Sequence, residues 1–269
     1  MRTVICHFFN EAYLLPWWLK HHRALFDHGV LIDHGSTDES ADICRELVPE
    51  WKLVRSRLNK FDAYMTDFEV MEYERGLPGW KIALNVTEFL MCTAPLQVLE
   101  QQLARDGRIG CSASGMLIVD DHPGEEPDPN QPLPLQRHFG LDDNAVTDAA
   151  QRRDLGLPAS PQRNRFYHRN EVGMYHPGRH TSFHPDCQLR YVNLMVFHYG
   201  YAPWNDRVLQ RKMQIASKVK VEDLKRGWGV QHIRGREQLE QDFRRIHSAS
   251  ADLMTHEHAR AAIDFSCRY

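Results

Sequence analysis

Apolar positions along this chain of 269 residues recur with two periods in alternation. Short β-prone runs at Thr3-Val4-Ile5-Cys6, Val30-Leu31-Ile32, Lys52-Leu53-Val54 and Trp80 to Leu84 predict buried strands, the last running on through Asn85 to Leu90. Helix-period segments separate them. The first spans about Glu11 to Phe26 with Leu14, Trp18 and Leu25 on one face, and Ala41 to Leu47 and Asp62 to Arg75 follow. Pro16 lies early enough for a first helical turn, and Ser36 or Asp38 can cap the second helix. Pro95 to Ala104 predicts another helix. Ile109 to Cys111, Met116 to Val119 and Tyr191 to His198 predict strands, and Asn205 to about Lys220 and Arg236 to His247 predict helices. Strands alternating with helices predict an α/β fold with a mixed sheet flanked by helices.

From Asp120 to about Asn170 the periodicity fades and seven prolines punctuate a polar stretch. A segment this long inside a compact domain is expected to serve as a lid or binding loop, because the following hundred residues look incomplete as a separate domain. One domain, 1–269, is therefore expected: 1–119, an insert at 120–177, and a C-terminal part at 178–269 that completes a cleft.

Composition narrows the partners. The net charge of −3 and pI near 6.6 carry no polybasic signature, so nucleic acid is not expected. Six cysteines lie scattered without a Cys-x-x-Cys pair, which argues against a zinc ribbon or a disulfide framework. No apolar run is long enough to span a bilayer, and Met1-Arg2-Thr3 leads straight into a strand. A soluble, cytoplasmic protein with reduced thiols is the expectation.

Candidate chemistry sits at the strand ends. Asn10-Glu11 follows the first strand, and Asp33-His34-Gly35-Ser36-Thr37-Asp38 closes the second. Open parallel sheets bind ligands at the carboxyl ends of their strands, so Asn10, Glu11, Asp33, Ser36 and Asp38 could cradle a base and ribose. With Leu15, Trp17-Trp18 and His21-His22 between them, these residues resemble the opening of family 2-type glycosyltransferases of GT-A fold. The branch in question begins with an "NE…L.eW..hH" helix and a "DnGStD" turn. The resemblance covers Met1 to Leu90 and, less fully, Gly178 to about His232. It implies a nucleotide-sugar donor, a glycan or similar acceptor, and inversion at the anomeric carbon, in a role such as polysaccharide biosynthesis. The 1–119 part would then bind the nucleotide, and 120–177 would shape the acceptor side.

The same branch usually carries Asp-x-Asp-Glu-Phe, whose carboxylates hold Mg²⁺ or Mn²⁺ against the diphosphate. Here the segment reads Asn85-Val86-Thr87-Glu88-Phe89, so neutral Asn85 and Thr87 replace both carboxylates. Three readings stay open: a metal held by Glu88 with help from His198, a metal-free enzyme using basic side chains, or a chain that binds without catalysis. Gly178-Arg179-His180 and the strand ending in His198-Tyr199 resemble further elements of the branch. Arg179 could grip a phosphate bidentately, with His180 beside it, and His198 could ligate a cation or donate to a phosphate. On a helical wheel, Lys212 falls within the arc of Val208, Leu209, Met213 and Ala216, while Arg207 and Arg211 are expected to project elsewhere. A lysine on a buried face must find an anion or snorkel out. For the base that deprotonates the acceptor, Asp121 or its neighbour Asp120 is one candidate, and Glu88 is the rival. A metal-dependent hydrolase built on Asp120, Asp121 and His122 is the alternative enzyme.

Overall fold

A computed structural model describes residues 1–226 and 233–268. The stretch credited to the resemblance up to His232 therefore ends in residues outside those described. Four strands run parallel: β1 (Arg2–Phe8), β2 (His28–Asp33), β3 (Lys52–Arg55) and β4 (Trp80–Leu84), arranged β3-β2-β1-β4. Residue 5 of β1 and residues 30, 32 and 83 of its neighbours enter one apolar cluster. Val4, Cys6, Phe8, Leu31, Ile82 and Leu84 enter the other. This two-residue alternation, with both faces covered, is how a parallel sheet is buried. Helices α1 (Leu15–Arg23), α4 (Leu96–Arg105) and α10 (Glu257–Ser266) pack on the second face and α3 (Ala63–Arg75) on the first, while α2 (Ser40–Leu47) connects β2 to β3.

Beyond β4 the sheet becomes mixed. Strand β8 (Arg165–His168) lies antiparallel between β4 and β6 (Gly110–Val119), and β7 (Phe139–Asp142) and β10 (Ala251–Asp252) extend it. Strand β5 (Glu88–Cys92) pairs antiparallel with β9 (Arg190–Tyr201), which runs parallel to β6. The mixed sheet flanked by helices is therefore present.

Several expectations change. The run from Trp80 does not continue to Leu90: it stops at Leu84, turns through Asn85-Val86-Thr87 and restarts as β5 on a different neighbour. The two short strands at 109–119 are one, because small Ser112 to Gly115 can pair closely with β8 and β9 despite weak apolar periodicity. The segment 120–170 is not irregular throughout. It holds α5 (Leu133–Gln136), β7, α6 (Ala149–Asp154) and β8, and β8 is ordered by tertiary ion pairs that no local pattern announces. The helix from Asn205 is α7 (Asp206–Gln214), followed by a 3-10 turn and α8 (Val221–Lys225), and α9 (Arg236–Ser248) comes after it.

Among the described residues, one edge of β5 has no strand beside it. Helix α1 fills that role: Leu90 donates its N–H to His22 Nε2 at 3.2 Å, and His21 Nε2 meets the Leu90 carbonyl at 2.7 Å. Trp18 Nε1 donates to the Glu88 carbonyl at 2.9 Å. Side chains thus satisfy backbone groups that an exposed edge leaves open. Burial holds His21 down to about 4 and pushes His22 well below the usual imidazole range, so both rings serve as neutral hydrogen-bonding groups.

Candidate functional site

The carboxyl ends of β1, β2 and β4 lie side by side, because β1 is paired in parallel with both neighbours: Phe8 stands opposite Asp33 and Cys6 opposite Leu84. The two polar clusters at the first two ends interlock. Asn10 donates its N–H to Ser36 Oγ (3.0 Å), Thr37 donates its N–H to Asn10 Oδ1 (2.7 Å), and Ser36 donates its N–H to Asp33 Oδ1 (2.8 Å). Asp38 Oδ2 accepts from the Ala12 N–H at 3.1 Å, and Ser40 Oγ from the Glu11 N–H at 2.8 Å. Asn10 sits in left-handed backbone (φ 51°), which Asn tolerates better than most residues. Asp33 also lines a cleft of about 450 Å³ with Cys44, Trp51 and Arg55.

Helix α7 closes this edge. Gln214 Nε2 donates to the Asn10 carbonyl at 2.9 Å, and Arg211 pairs with Glu11 at 2.8 Å. Arg211 is therefore buried against the site and does not project away, contrary to the wheel. The wheel failed because Glu11, a carboxylate 200 residues distant in sequence, draws the guanidinium inward. Burial pushes the Glu11 carboxyl up even with Arg211 beside it. Lys212 is half-buried, with Nζ 4.4 Å from the centre of the Tyr201 ring. Burial first, then Arg211, Arg163 and Arg234, bring its ammonium down to about 7.

At the end of β4, Asn85, Glu88 and two arginines form a closed group. Arg165 holds the fully buried Glu88 carboxylate, Nε to Oε2 at 2.7 Å and Nη2 to Oε1. The other face of Glu88 accepts the Asn85 N–H at 2.8 Å and faces Asn85 Nδ2 at 3.4 Å. Asn85 Oδ1 accepts from Arg179 Nη2 at 3.0 Å, while Arg179 Nη1 pairs with Asp67 of α3. Thr87 contributes its carbonyl to the Tyr199 N–H at 2.7 Å. Arg179 adopts left-handed backbone (φ 61°) beside Gly178 (φ 89°). In a non-glycine residue that conformation is strained and persists where surrounding contacts impose it.

His198 stands directly across the β5–β9 ladder from Glu88. Its Nδ1 is buried and has no hydrogen-bond partner among the described residues. Burial, then the fields of Arg163, Lys212, Arg165 and Arg211, push the ring well below the usual imidazole range. His180 Nδ1 meets Arg165 Nη1 at 2.6 Å. Arginine can only donate, so Nδ1 is the acceptor and Nε2 carries the proton. Burial and Arg165 keep that ring neutral.

Asp120 is fully buried, pairs with Arg137 at 2.9 Å and accepts from the N–H groups of His122 and Trp204. Asp121 is exposed, with His122 Nε2 at 3.6 Å. Among the described residues no three His, Cys, Asp or Glu side chains gather to hold a metal. A second cleft, about 610 Å³, opens between the 123–126 loop, α7 and α9, where Trp204 stacks on Phe243 at 4.7 Å.

The structure therefore groups Asn10, Glu11, Asp33, Ser36 and Asp38 at the ends of β1 and β2, and Asn85, Glu88, Arg179, His180 and His198 at the end of β4 and start of β5, while Lys212 rests against Tyr201. Sequence reading missed Asp67, Arg163, Arg165 and Arg211. The one local signal is Arg163-Asn164-Arg165, two cations at strand spacing before the apolar Phe166-Tyr167.

No protein-family model matches the chain, and no curated protein matches it. Solved structures do. Staphylococcus aureus TarS matches at 11% identity, over 48% of this chain and 23% of that one, with a TM-score of 0.32. TarS 1–349 in complex with UDP-GlcNAc matches at 14% identity, 47% and 36% coverage, TM-score 0.31. Glucosyl-3-phosphoglycerate synthase from Mycobacterium tuberculosis, in complex with Mn²⁺, UDP-glucose and phosphoglyceric acid, matches at 14% identity, 66% and 61% coverage, TM-score 0.38. The matched region spans less than two thirds of each of those chains. No described helix is long and apolar enough to cross a membrane, and all six cysteines are free and buried.

Proposed function

We propose that this chain is a GT-A-like glycosyltransferase that moves a sugar from a nucleotide-sugar donor to an acceptor hydroxyl, with inversion. The observation that carries this reading is the convergence on one sheet edge of a polar wall, Asn10 with Asp33 and Ser36, and a cationic wall around Glu88 and His198. The first suits a nucleoside, whose ribose hydroxyls and base edges need hydrogen-bond partners. The second suits a diphosphate, whose charge needs cations. The acceptor oxygen attacks the anomeric carbon, the bond from that carbon to the diphosphate oxygen breaks, and a carboxylate takes the acceptor proton. Asp121 fits the base better than Asp120, whose oxygens are already engaged with Arg137 and two backbone N–H groups. Those engagements also argue against a hydrolase centred on Asp120.

The test is release of nucleoside diphosphate from a panel of nucleotide sugars, with and without mixed glycan acceptors. Turnover on at least one donor, reduced by Asp33→Asn and by Lys212→Met, is expected. Nucleotide binding without any turnover would return the chain to a non-catalytic binder. Failure of every nucleotide and nucleotide sugar to bind would end the reading.

A further inference from the structure

The divalent ion implied by the resemblance does not fit the residues that stand at its place. Both oxygens of Glu88 are taken by Arg165, and Asn85 Oδ1 by Arg179. A hard cation there would lack anionic ligands and face two fixed guanidinium groups. We infer that the protein's own cations replace the ion, so that the site binds a diphosphate without metal; the inference rests on the proposed nucleotide-sugar reading and specifies how that site meets its donor.

The balance of charge supports this. Arg165, Arg179 and Arg211 each have one carboxylate, in Glu88, Asp67 and Glu11. Arg163 must share Asp143 with Arg152, at 3.0 and 2.9 Å. Lys212 has no carboxylate within ion-pair distance among the described residues and rests against the Tyr201 ring. Positive charge thus exceeds negative around a ring, His198, that already feels four cations. Excess buried charge is costly unless an anion joins it. Donors for that anion are in place in the Lys212 ammonium and His180 Nε2–H. His180 and Lys212 are each half-buried, so a ligand can reach them, whereas Glu88 and Arg165 are sealed.

Calorimetry with inorganic pyrophosphate in excess EDTA tests the inference on the intact protein. Pyrophosphate should bind, Mn²⁺ should change its Kd less than about threefold, and Lys212→Met should weaken it about ten- to hundredfold, as expected for a charge-assisted contact. Lys212→Arg should restore most of the loss. His180→Asn provides a second variant if Lys212→Met lowers the thermal midpoint. Binding that appears only with Mn²⁺ and vanishes in EDTA overturns the inference, as does an absence of pyrophosphate binding under both conditions. The two readings fail separately. Pyrophosphate bound in EDTA but displaced by no nucleoside diphosphate would sink the nucleotide-sugar reading alone. Nucleoside diphosphates bound only with Mn²⁺ would sink the metal-free site alone.

Discussion

Arg165 holds Glu88 across 77 residues of sequence, Nε to Oε2 at 2.7 Å, in a pair that is almost entirely inaccessible to solvent. Removing one partner of such a pair leaves an uncompensated buried charge, at a cost of about 3–5 kcal/mol. Glu88→Gln should therefore destabilise the protein by that order in urea unfolding. Adding Arg165→Met to Glu88→Gln should recover part of the loss. Strict additivity of the two changes would mean that the pair is not coupled.

Acid stability should report the α1 clamp. His21 is neutral in the fold, with its ring brought down to about 4, and ionises near 6.5 when unfolded. The unfolded state binds more protons between those values. Its stabilising contribution is thus complete above about pH 6.5 and is lost as pH falls towards 4, on the order of 3 kcal/mol. Urea midpoints at pH 7.5, 6 and 5 should fall in that order, and His21→Gln should flatten the fall. An unchanged slope in the variant would assign the acid sensitivity to other groups.

Lys212 sets a pH dependence of opposite direction on ligand binding. Its ammonium is held near 7 in the free protein, and an anion favours the charged form. Pyrophosphate affinity should be level below about pH 7 and decline as pH rises above it. Lys212→Arg, which stays charged, should remove the decline up to pH 9. A decline of equal steepness in that variant would place the titration elsewhere.

Arg179 combines backbone strain with an ion pair, and two substitutions separate them. Arg179→Ala loses the guanidinium and keeps a Cβ at φ 61°. Arg179→Gly loses the same charge but relieves the left-handed strain, worth roughly 1 kcal/mol. The glycine variant should be the more stable by about that amount in thermal or urea unfolding. Equal stability would show that the backbone relaxes once Asp67 is released.

The order of strands and helices through β4 follows from the sequence because each element carries its own signal. Apolar alternation buries β1, β2 and β4 on two faces, and the intervening helices are long enough to carry the chain back for parallel pairing. The polar strand ends at Asn10 and Asp33 are legible for the same reason, since parallel strands end on the same side, whereas Asn85 stands out only through the resemblance. Beyond that, local pattern is silent. β8 begins with an arginine that a four-residue strand buries only because Glu88, 77 positions away, neutralises it. Asp67 and Arg179 meet across 112 positions and Glu11 and Arg211 across 200. His21 and His22 read as polar members of an amphipathic helix, yet they act as the missing strand beside β5. Charged groups enter an interior only in pairs, and which pairs form is decided by where the folded sheet brings distant segments, so the composition of the cationic wall belongs to the tertiary structure alone.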